Sequence, residues 1–299
     1  MRLLVIGDTH IDDPYLGELR DIFAEILEIK ADAVLHLGDY YNFNKPSPES
    51  LAFGTEMAKK LVGRYRDFTL LAGNGRHNWM NGYSVVDYLT YLGVKCVGME
   101  YEQVIDGKKV LFGHHMTNES YKEYGSHFYT VCDLKKKYDL VLLGHQHIPQ
   151  DITANIFHLG SVFYQHFNES KDPFKRVAVI DDGKIEFIRL QTPIPMMDVN
   201  DLSELREIDQ RTKVRFLISS FEAFKKSVNG MAEWRNKFVE FKYELRYDKT
   251  FAKAKAEQKG NANDEHKRVN IIEEINRQVK DEAVRELLIA QFKDESNVS

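Results

Sequence analysis

The chain has 299 residues, 43% of them hydrophobic and 29% charged, with a formal net charge of −5. Those proportions suit one large or two modest globular domains and exclude wholesale disorder. Two cysteines, Cys96 and Cys132, exclude a disulfide scaffold or a cysteine-built zinc module and fit a reducing compartment, while the acidic balance argues against a passive nucleic-acid coat but not against an enzyme that grips phosphate through metal ions.

The first apolar run, residues 2–6, is stopped by Gly7-Asp8. It is too short for a signal peptide or a membrane span, so the chain reads as a soluble, cytoplasmic protein (in host cytoplasm if viral) with no membrane partner. Short continuous apolar runs suit buried parallel strands. Leu19, Ile22, Phe23, Ile26 and Leu27 then recur at helical spacing. A second strand over 33–37 ends in Gly38-Asp39, and 48–62 reads as a helix. A third strand over 68–72 ends in Gly73-Asn74, and 83–92 reads as another helix. Strands over 109–112 and 139–143 end in Gly113-His114 and Gly144-His145. Further strands are predicted over 156–159, 176–180 and 184–190, the last two joined by a hairpin turn at Asp182-Gly183.

Pro193 and Pro195 mark a boundary. Beyond it, a strand over 214–219, a helix over 221–234 and a strand over 238–247 form a small α+β module. Residues 251–268 read as a linker, rich in Lys, Ala, Asn and Glu. A helical stripe then runs through Ile271, Ile272, Ile275, Val279, Leu287, Leu288 and Phe292. The predicted organisation is a domain over 1–193, a small domain over 194–250, the linker, and a C-terminal helix within 269–299.

Alternating strand, polar turn and helix define an α/β core, in which ligands sit beyond the carboxyl ends of the strands. The polar residues gathered there are Asp8, His10, Asp39, Asn74 with His77 nearby, His114, His145 and His147. One Gly-Asp after a strand is nearly uninformative, since loops collect polar residues. Five strand ends that all carry metal-capable side chains are a different matter. Carboxylate, amide oxygen and imidazole suit Mn²⁺, Fe²⁺ or Zn²⁺ better than thiophilic metals. Seven such donors are too many for one ion and enough for two, with Asp39, alone at its strand end, as the bridge. Two ions about 3.5–4 Å apart clamp a phosphate and activate a water, which is phosphoester hydrolysis. His77 would then serve as a non-ligand proton donor or charge stabiliser.

Gly7-Asp8-Thr9-His10, Gly38-Asp39, Gly73-Asn74, Gly113-His114 and Gly144-His145-Gln146-His147, in this order, resemble the calcineurin-like metallophosphoesterase superfamily. The resemblance covers about two-thirds of the chain and implies a two-sheet α/β sandwich with a di-metal centre at one rim. By motif position, Asp8, His10 and His147 would hold one metal, Asn74, His114 and His145 the other, and Asp39 would bridge. The family pattern runs Gly-Asn-His without interruption, whereas Gly75 and Arg76 separate Asn74 from His77 here. Either a bulged loop still brings His77 to the phosphate, or Arg76 supplies the stabilising charge. Of His114 and His115, His114 follows the strand-end glycine and is taken as the ligand.

The run from Asn155 to Ile180, and Gly38–Asn44 earlier, are similar to the MRE-type and SbcD-type nuclease subunits of recombination-repair complexes, in particular the compact bacteriophage version. That resemblance implies a Mn²⁺-dependent 3′→5′ exonuclease on duplex DNA with single-strand endonuclease activity; Mg²⁺ is a further possible ion. It also implies that 194–250 is a DNA-capping domain, that the chain forms a homodimer, and that the C-terminal helix binds the coiled coil of an SMC-like ABC ATPase, unless the helix folds back on its own chain. A small-molecule or cyclic-nucleotide phosphodiesterase or phosphatase of the same superfamily is the alternative. Lys45, Arg76, Lys171, Lys175, Lys225 and Lys226 are offered as DNA-backbone contacts, each also readable as a solvated charge. Tyr40, Tyr41 and Phe43 are offered as stacking residues, or as packing under a loop. Leu51, Met57, Tyr83 and Val86 supply a dimer patch, or face the monomer's own core.

Overall fold

The structure is a computed structural model; it describes residues 1–80, 82–118, 128–219, 227, 233–234 and 236–245. Two compact units divide the chain, Met1–Ile194 and Pro195–Ser299.

The first unit contains two sheets. One has six strands in the order Lys184–Arg189, Arg176–Asp181, Leu3–Ile6, Ala33–His36, Asp67–Leu71 and Lys95–Val97. The four from Leu3–Ile6 onward are parallel, and Arg176–Asp181 runs antiparallel beside them, paired through Leu4↔Val179. The other sheet has five strands in the order Gln150–Thr153, Ile156–His158, Leu140–Leu143, Lys108–Gly113 and Glu100–Ile105. Its three central strands are parallel, and both edge strands join as antiparallel neighbours.

The two-residue period of the strands decides the layers. Leu3, Val5, Leu35, Val110, Phe112, Leu140, Leu142, Ala178 and Ile180 form one core from both sheets. Their neighbours Leu4, Ile6, Val34, Phe68, Leu70 and Val179 point the other way. There they meet helix α1 (Leu16–Leu27), which buries Leu19, Ile22, Phe23 and Ile26, and helix α2 (Pro48–Arg64), which buries Phe53, Met57, Ala58 and Leu61. Each of the Leu, Ile, Phe and Met side chains contributes about 1.5–3 kcal/mol. Ser47 caps α2 by accepting from Ser50 N at 3.0 Å, and Pro48 occupies its first turn, where the missing N–H costs nothing. On the outer face of the second sheet, Leu111, Val141, Leu143 and Ile156 pack with Val131 and Leu134. The unit is thus the two-sheet α/β sandwich the motifs predict.

Several expectations need correction. Residues 83–92 form no α-helix: Tyr83–Ser84 pairs with Trp79–Met80 as a small hairpin, and Asp87–Leu92 is a 3₁₀ helix. Ser84 N donates to the Asp87 carboxylate at 3.0 Å, and Gly93 stops the segment in the left-handed region at φ 90°. Met57 and Val86 are buried in the unit's own core, so they supply no dimer patch; Leu51 packs partly on that core, and Tyr83 alone of the four is exposed. The strand Glu100–Ile105, which the sequence reading missed, turns back through Asp106-Gly107, both at positive φ.

In the second unit, Met196–Val199, Lys213–Ile218 and Glu240–Leu245 form a parallel sheet with the second in the centre. The first of these strands was not predicted. Lys225 and Lys226, the linker and the C-terminal helix lie outside the described residues, as does nearly all of the helix expected over 221–234.

Candidate metal centre

Carboxyl ends of strands from both sheets converge on one rim. Asp8 and His10 follow Leu3–Ile6, Asp39 follows Ala33–His36, and Asn74 follows Asp67–Leu71. His114 follows Lys108–Gly113, and His145 and His147 follow Leu140–Leu143. The Asp8 and Asp39 loops are tied by a short ladder, His10 N to Asp39 O and Ile11 N to Tyr40 O, both 2.9 Å. His10, Asp39 and His145 hold φ at 38°, 48° and 73°. Among the described residues, the other positive-φ residues with side chains, Asp106 and Asp182, sit in hairpin turns, where such a conformation is ordinary. Backbone strain in three of the seven predicted ligands marks the rim as a place where side-chain aim overrides local preference.

Three sets of donor atoms lie close together. Asp8, His10 and His147 offer donor atoms within 4.8 Å of one another, as do Asp39, His114 and His145, and also His10, Asp39 and His77. His10 Nε2 lies 2.9 Å from His147 Nε2, 3.8 Å from Asp8 Oδ2 and 3.9 Å from Asp39 Oδ2. His114 Nδ1 is 2.8 Å from the Leu37 carbonyl, which turns Nε2 to within 3.1 Å of Asp39 Oδ2. Asp39 is held by Asn74 N at 3.0 Å, Asn74 Nδ2 at 2.9 Å and Asn78 Nδ2 at 2.7 Å. No side chain fits at Gly73 or Gly144: a Cβ would come within 1.8 Å of Asp39 Oδ1 at the first and 2.6 Å of Asp8 Oδ1 at the second. His115 points elsewhere, to Glu100 at 3.4 Å and the Tyr129 ring, so His114 is the strand-end histidine in the cluster.

The electrostatics describe a site that asks for cations. Burial pushes the Asp8 carboxyl up to about 7 despite nearby His114. Burial also raises Asp39, but the charge and hydrogen bond of His114 outweigh it and leave Asp39 well below the usual carboxylate range. His114 goes up to about 9, since Asp39 and Asp8 overcome the cost of its burial. Burial, together with His114, takes His145 down to about 4. Burial and His147 likewise lower His10. Two imidazole nitrogens 2.9 Å apart, one on buried His10 and one on half-buried His147, beside two buried carboxylates, are the donor set of a hard or borderline divalent ion, and the residues fit such ions.

The inserted Gly75-Arg76 forms no irregular bulge. Asn74 caps a single turn, α3 (Gly75–Asn78), by accepting from Arg76 N at 3.1 Å. That turn returns His77 to the cluster, its ring 4.8 Å from the ring of His10 and its Nδ1 on the Asn42 carbonyl. Arg76 itself is exposed. The turn also delivers Asn78, fully buried, to Asp39. Sequence reasoning missed Asn78, although its spacing of four from Asn74 on one helical turn would have found it.

Three further expectations change. Tyr40 and Tyr41 are fully buried; Tyr40 donates to the Gly54 carbonyl at 2.7 Å and Tyr41 bonds the Tyr88 hydroxyl, so neither can stack on DNA. Phe43 is 44% exposed. Lys175 cannot contact a DNA backbone: it is buried and paired with Glu169 at 2.6 Å and Asp172 at 3.0 Å. Lys45 and Lys171 are exposed.

Donors of these types, gathered where parallel strands end, are those of a metal-dependent phosphoesterase, a hydrolase. Residues 1–149 match the family model of the calcineurin-like phosphoesterases, and through this domain the chain belongs to that family. Similar solved structures include an archaeal phosphodiesterase, at 15% identity over 64% of this chain and 100% of that one, with a TM-score of 0.42. Another is the phosphoesterase Yfce from E. coli, at 16% identity over 63% and 98%, with a TM-score of 0.37. No curated protein matches the chain. No described helix is long and apolar enough to cross a membrane.

Proposed function

We propose that this phosphoesterase is a DNA nuclease, a 3′→5′ exonuclease on duplex and an endonuclease on single strands, dependent on Mn²⁺. In this reading it acts as a homodimer with an SMC-like ABC ATPase in recombination and double-strand-break repair. The observation that carries the reading beyond generic phosphoester hydrolysis is the second compact unit, Pro195–Ser299, with its parallel sheet. A small-ester phosphodiesterase has no use for an added unit, whereas a nuclease needs a surface that handles a long polymer. The similarity of 155–180 to recombination-repair nucleases supports the same choice.

In the proposed site Asp8, His10 and His147 would hold one divalent ion and Asn74, His114 and His145 the other, with Asp39 as the shared ligand. Bound there, the ions supply an activated water and neutralise the phosphoryl oxygens. The chain's own residues do the rest. Asn74 Nδ2 faces Asp39 and, at 3.4 Å, His145 Nδ1, and offering Oδ1 to an ion there would give up the bond that this oxygen accepts from Arg76 N. Asn78 and the Asn74 N–H fix Asp39 Oδ1, which keeps Oδ2 aimed at the shared point. The Asn42 carbonyl accepts from His77 Nδ1 and orients the ring, so that Nε2 would give a proton to the leaving oxygen from the doubly protonated, imidazolium form.

The test is digestion of linear duplex and single-stranded DNA with Mn²⁺, beside hydrolysis of bis-p-nitrophenyl phosphate. Cleavage of DNA as well as the small ester supports the nuclease. Cleavage of the small ester alone favours the small-molecule phosphodiesterase.

A further inference from the structure

Behind His147 lies a buried polar group that the hydrolytic chemistry does not use. His147 Nε2 faces His10, and its other ring nitrogen, Nδ1, is 3.3 Å from Glu169 Oε1. Glu169 is 1% exposed and closes a short 3₁₀ turn, Phe167–Glu169, where the same oxygen accepts from Gln165 N at 3.2 Å and His166 N at 2.9 Å. Its second oxygen accepts from Lys175 Nζ at 2.6 Å. Lys175, also buried, donates as well to the His147 carbonyl and to Ser161 Oγ, both at 3.1 Å, and ion-pairs with Asp172.

An ionised carboxylate only accepts, so the nitrogen of His147 that faces it must carry the proton. Nε2 then carries a lone pair, aimed at His10 Nε2 2.9 Å away. Carboxylate–imidazole pairs of this kind fix the tautomer and raise the basicity of a metal-binding ring. Two carboxylates and one ammonium leave the buried group one negative charge in excess, which strengthens the pull on the Nδ1 proton. A simple stability role for the Glu169–Lys175 pair does not account for the arrangement, because apolar residues of similar volume fill a buried site at no greater cost.

We propose that Glu169, clamped by Lys175, is a positioning residue that locks His147 as the Nδ1–H tautomer and thereby sets metal affinity at the Asp8–His10–His147 position. The inference rests on reading those three residues as a metal site. Glu169→Gln tests it in the full-length protein. The amide has one oxygen where the carboxylate has two, so it serves either Lys175 or the Gln165 and His166 N–H groups but not both, and in either orientation His147 Nδ1–H loses its charged acceptor.

Expected in the metal-free protein is a move of the His147 ring ¹⁵N shifts away from the Nδ1–H pattern of the wild type. In Mn²⁺ titration, affinity at one of the two sites should fall about 10–100-fold, the usual cost of losing such a partner, while the other keeps its wild-type value. Should Glu169→Gln not fold, Glu169→Asp keeps the charge and shortens the reach, and affinity at the same site should still fall. Retention of the Nδ1–H signature with wild-type Mn²⁺ affinity in a folded variant overturns the proposal, as does equal weakening of both sites. A wild-type protein that binds no divalent ion would overturn the metal site itself, and this inference with it.

Discussion

The site has a floor and a rim, and they are made differently. Asp8, His10, Asp39 and His114 form the floor, each at most 1% exposed and each on the tail of a core strand. Asn74, His77, His145 and His147 form the rim and are half-buried; Asn74 and His145 also follow strands, while His77 and His147 lie further along the loops. The floor inherits its precision from the sheets, because moving one of its donors means moving a strand. The rim must be positioned by local devices: the capped turn of α3 for Asn74 and His77, and Glu169 for His147. A metallophosphoesterase of this design therefore has floor residues whose loss is absolute and rim residues whose loss is graded.

The largest effect tests the floor. Asp39→Ala should reduce hydrolysis to background, and it strands three donors at Asn74 and Asn78, at about 1–3 kcal/mol for each left unsatisfied. Turnover and elemental analysis of the purified variant check this, and near-normal Mn²⁺ activity would remove Asp39 from the centre. At the rim, His77→Ser should slow turnover by about 10²–10⁴-fold with both metals retained. Loss of metal would make His77 a ligand, whereas an unchanged rate beside a dead Arg76→Ala would move the role to arginine.

Smaller effects probe the scaffold under each region. Met57→Ala should cost about 2–5 kcal/mol in urea unfolding, as expected of a side chain buried under the floor strands. A neutral result would return Met57 to a surface. His36 and His158 lie buried behind the site, and burial lowers them to about 3 and about 4 from 6.5. Both stay neutral in the native state while the unfolded chain takes up their protons. Their contribution is therefore present above pH 6.5 and lost as pH falls toward 4, at about 1.4 kcal/mol per proton per pH unit. Unfolding of the metal-free protein from pH 7.5 to 5 should show the decline, and replacing His158 by Asn should flatten it. Least of all, Tyr83→Ala should change monomer stability by less than about 0.5 kcal/mol, since Tyr83 is 76% exposed. A larger change that depends on protein concentration in sedimentation would place Tyr83 in the proposed dimer contact.

Most of the floor was legible in the sequence. A four-residue apolar run ended by glycine and a metal-capable side chain is a local signal, and strand ends on one rim follow from the topology of parallel sheets. The α/β core could likewise be read from patterning and the hairpin at Asp182-Gly183 from turn chemistry, whereas the two-sheet sandwich was implied by the resemblance that the strand-end motifs carry. The rim and its supports were not legible. Whether two extra residues displace His77 depends on Asn74 capping a turn and on the Asn42 carbonyl meeting the ring, 35 residues away in sequence. Lys175 reads as a DNA contact in a string of letters and becomes an internal counter-ion only when Glu169 and Asp172 close around it. Tyr40, Tyr41, Met57 and Val86 present the same apolar or aromatic surface whether they face solvent, DNA or a core. Composition and period state what a side chain can do, but its partner is chosen by contacts distant in sequence, which only the packed tertiary structure decides.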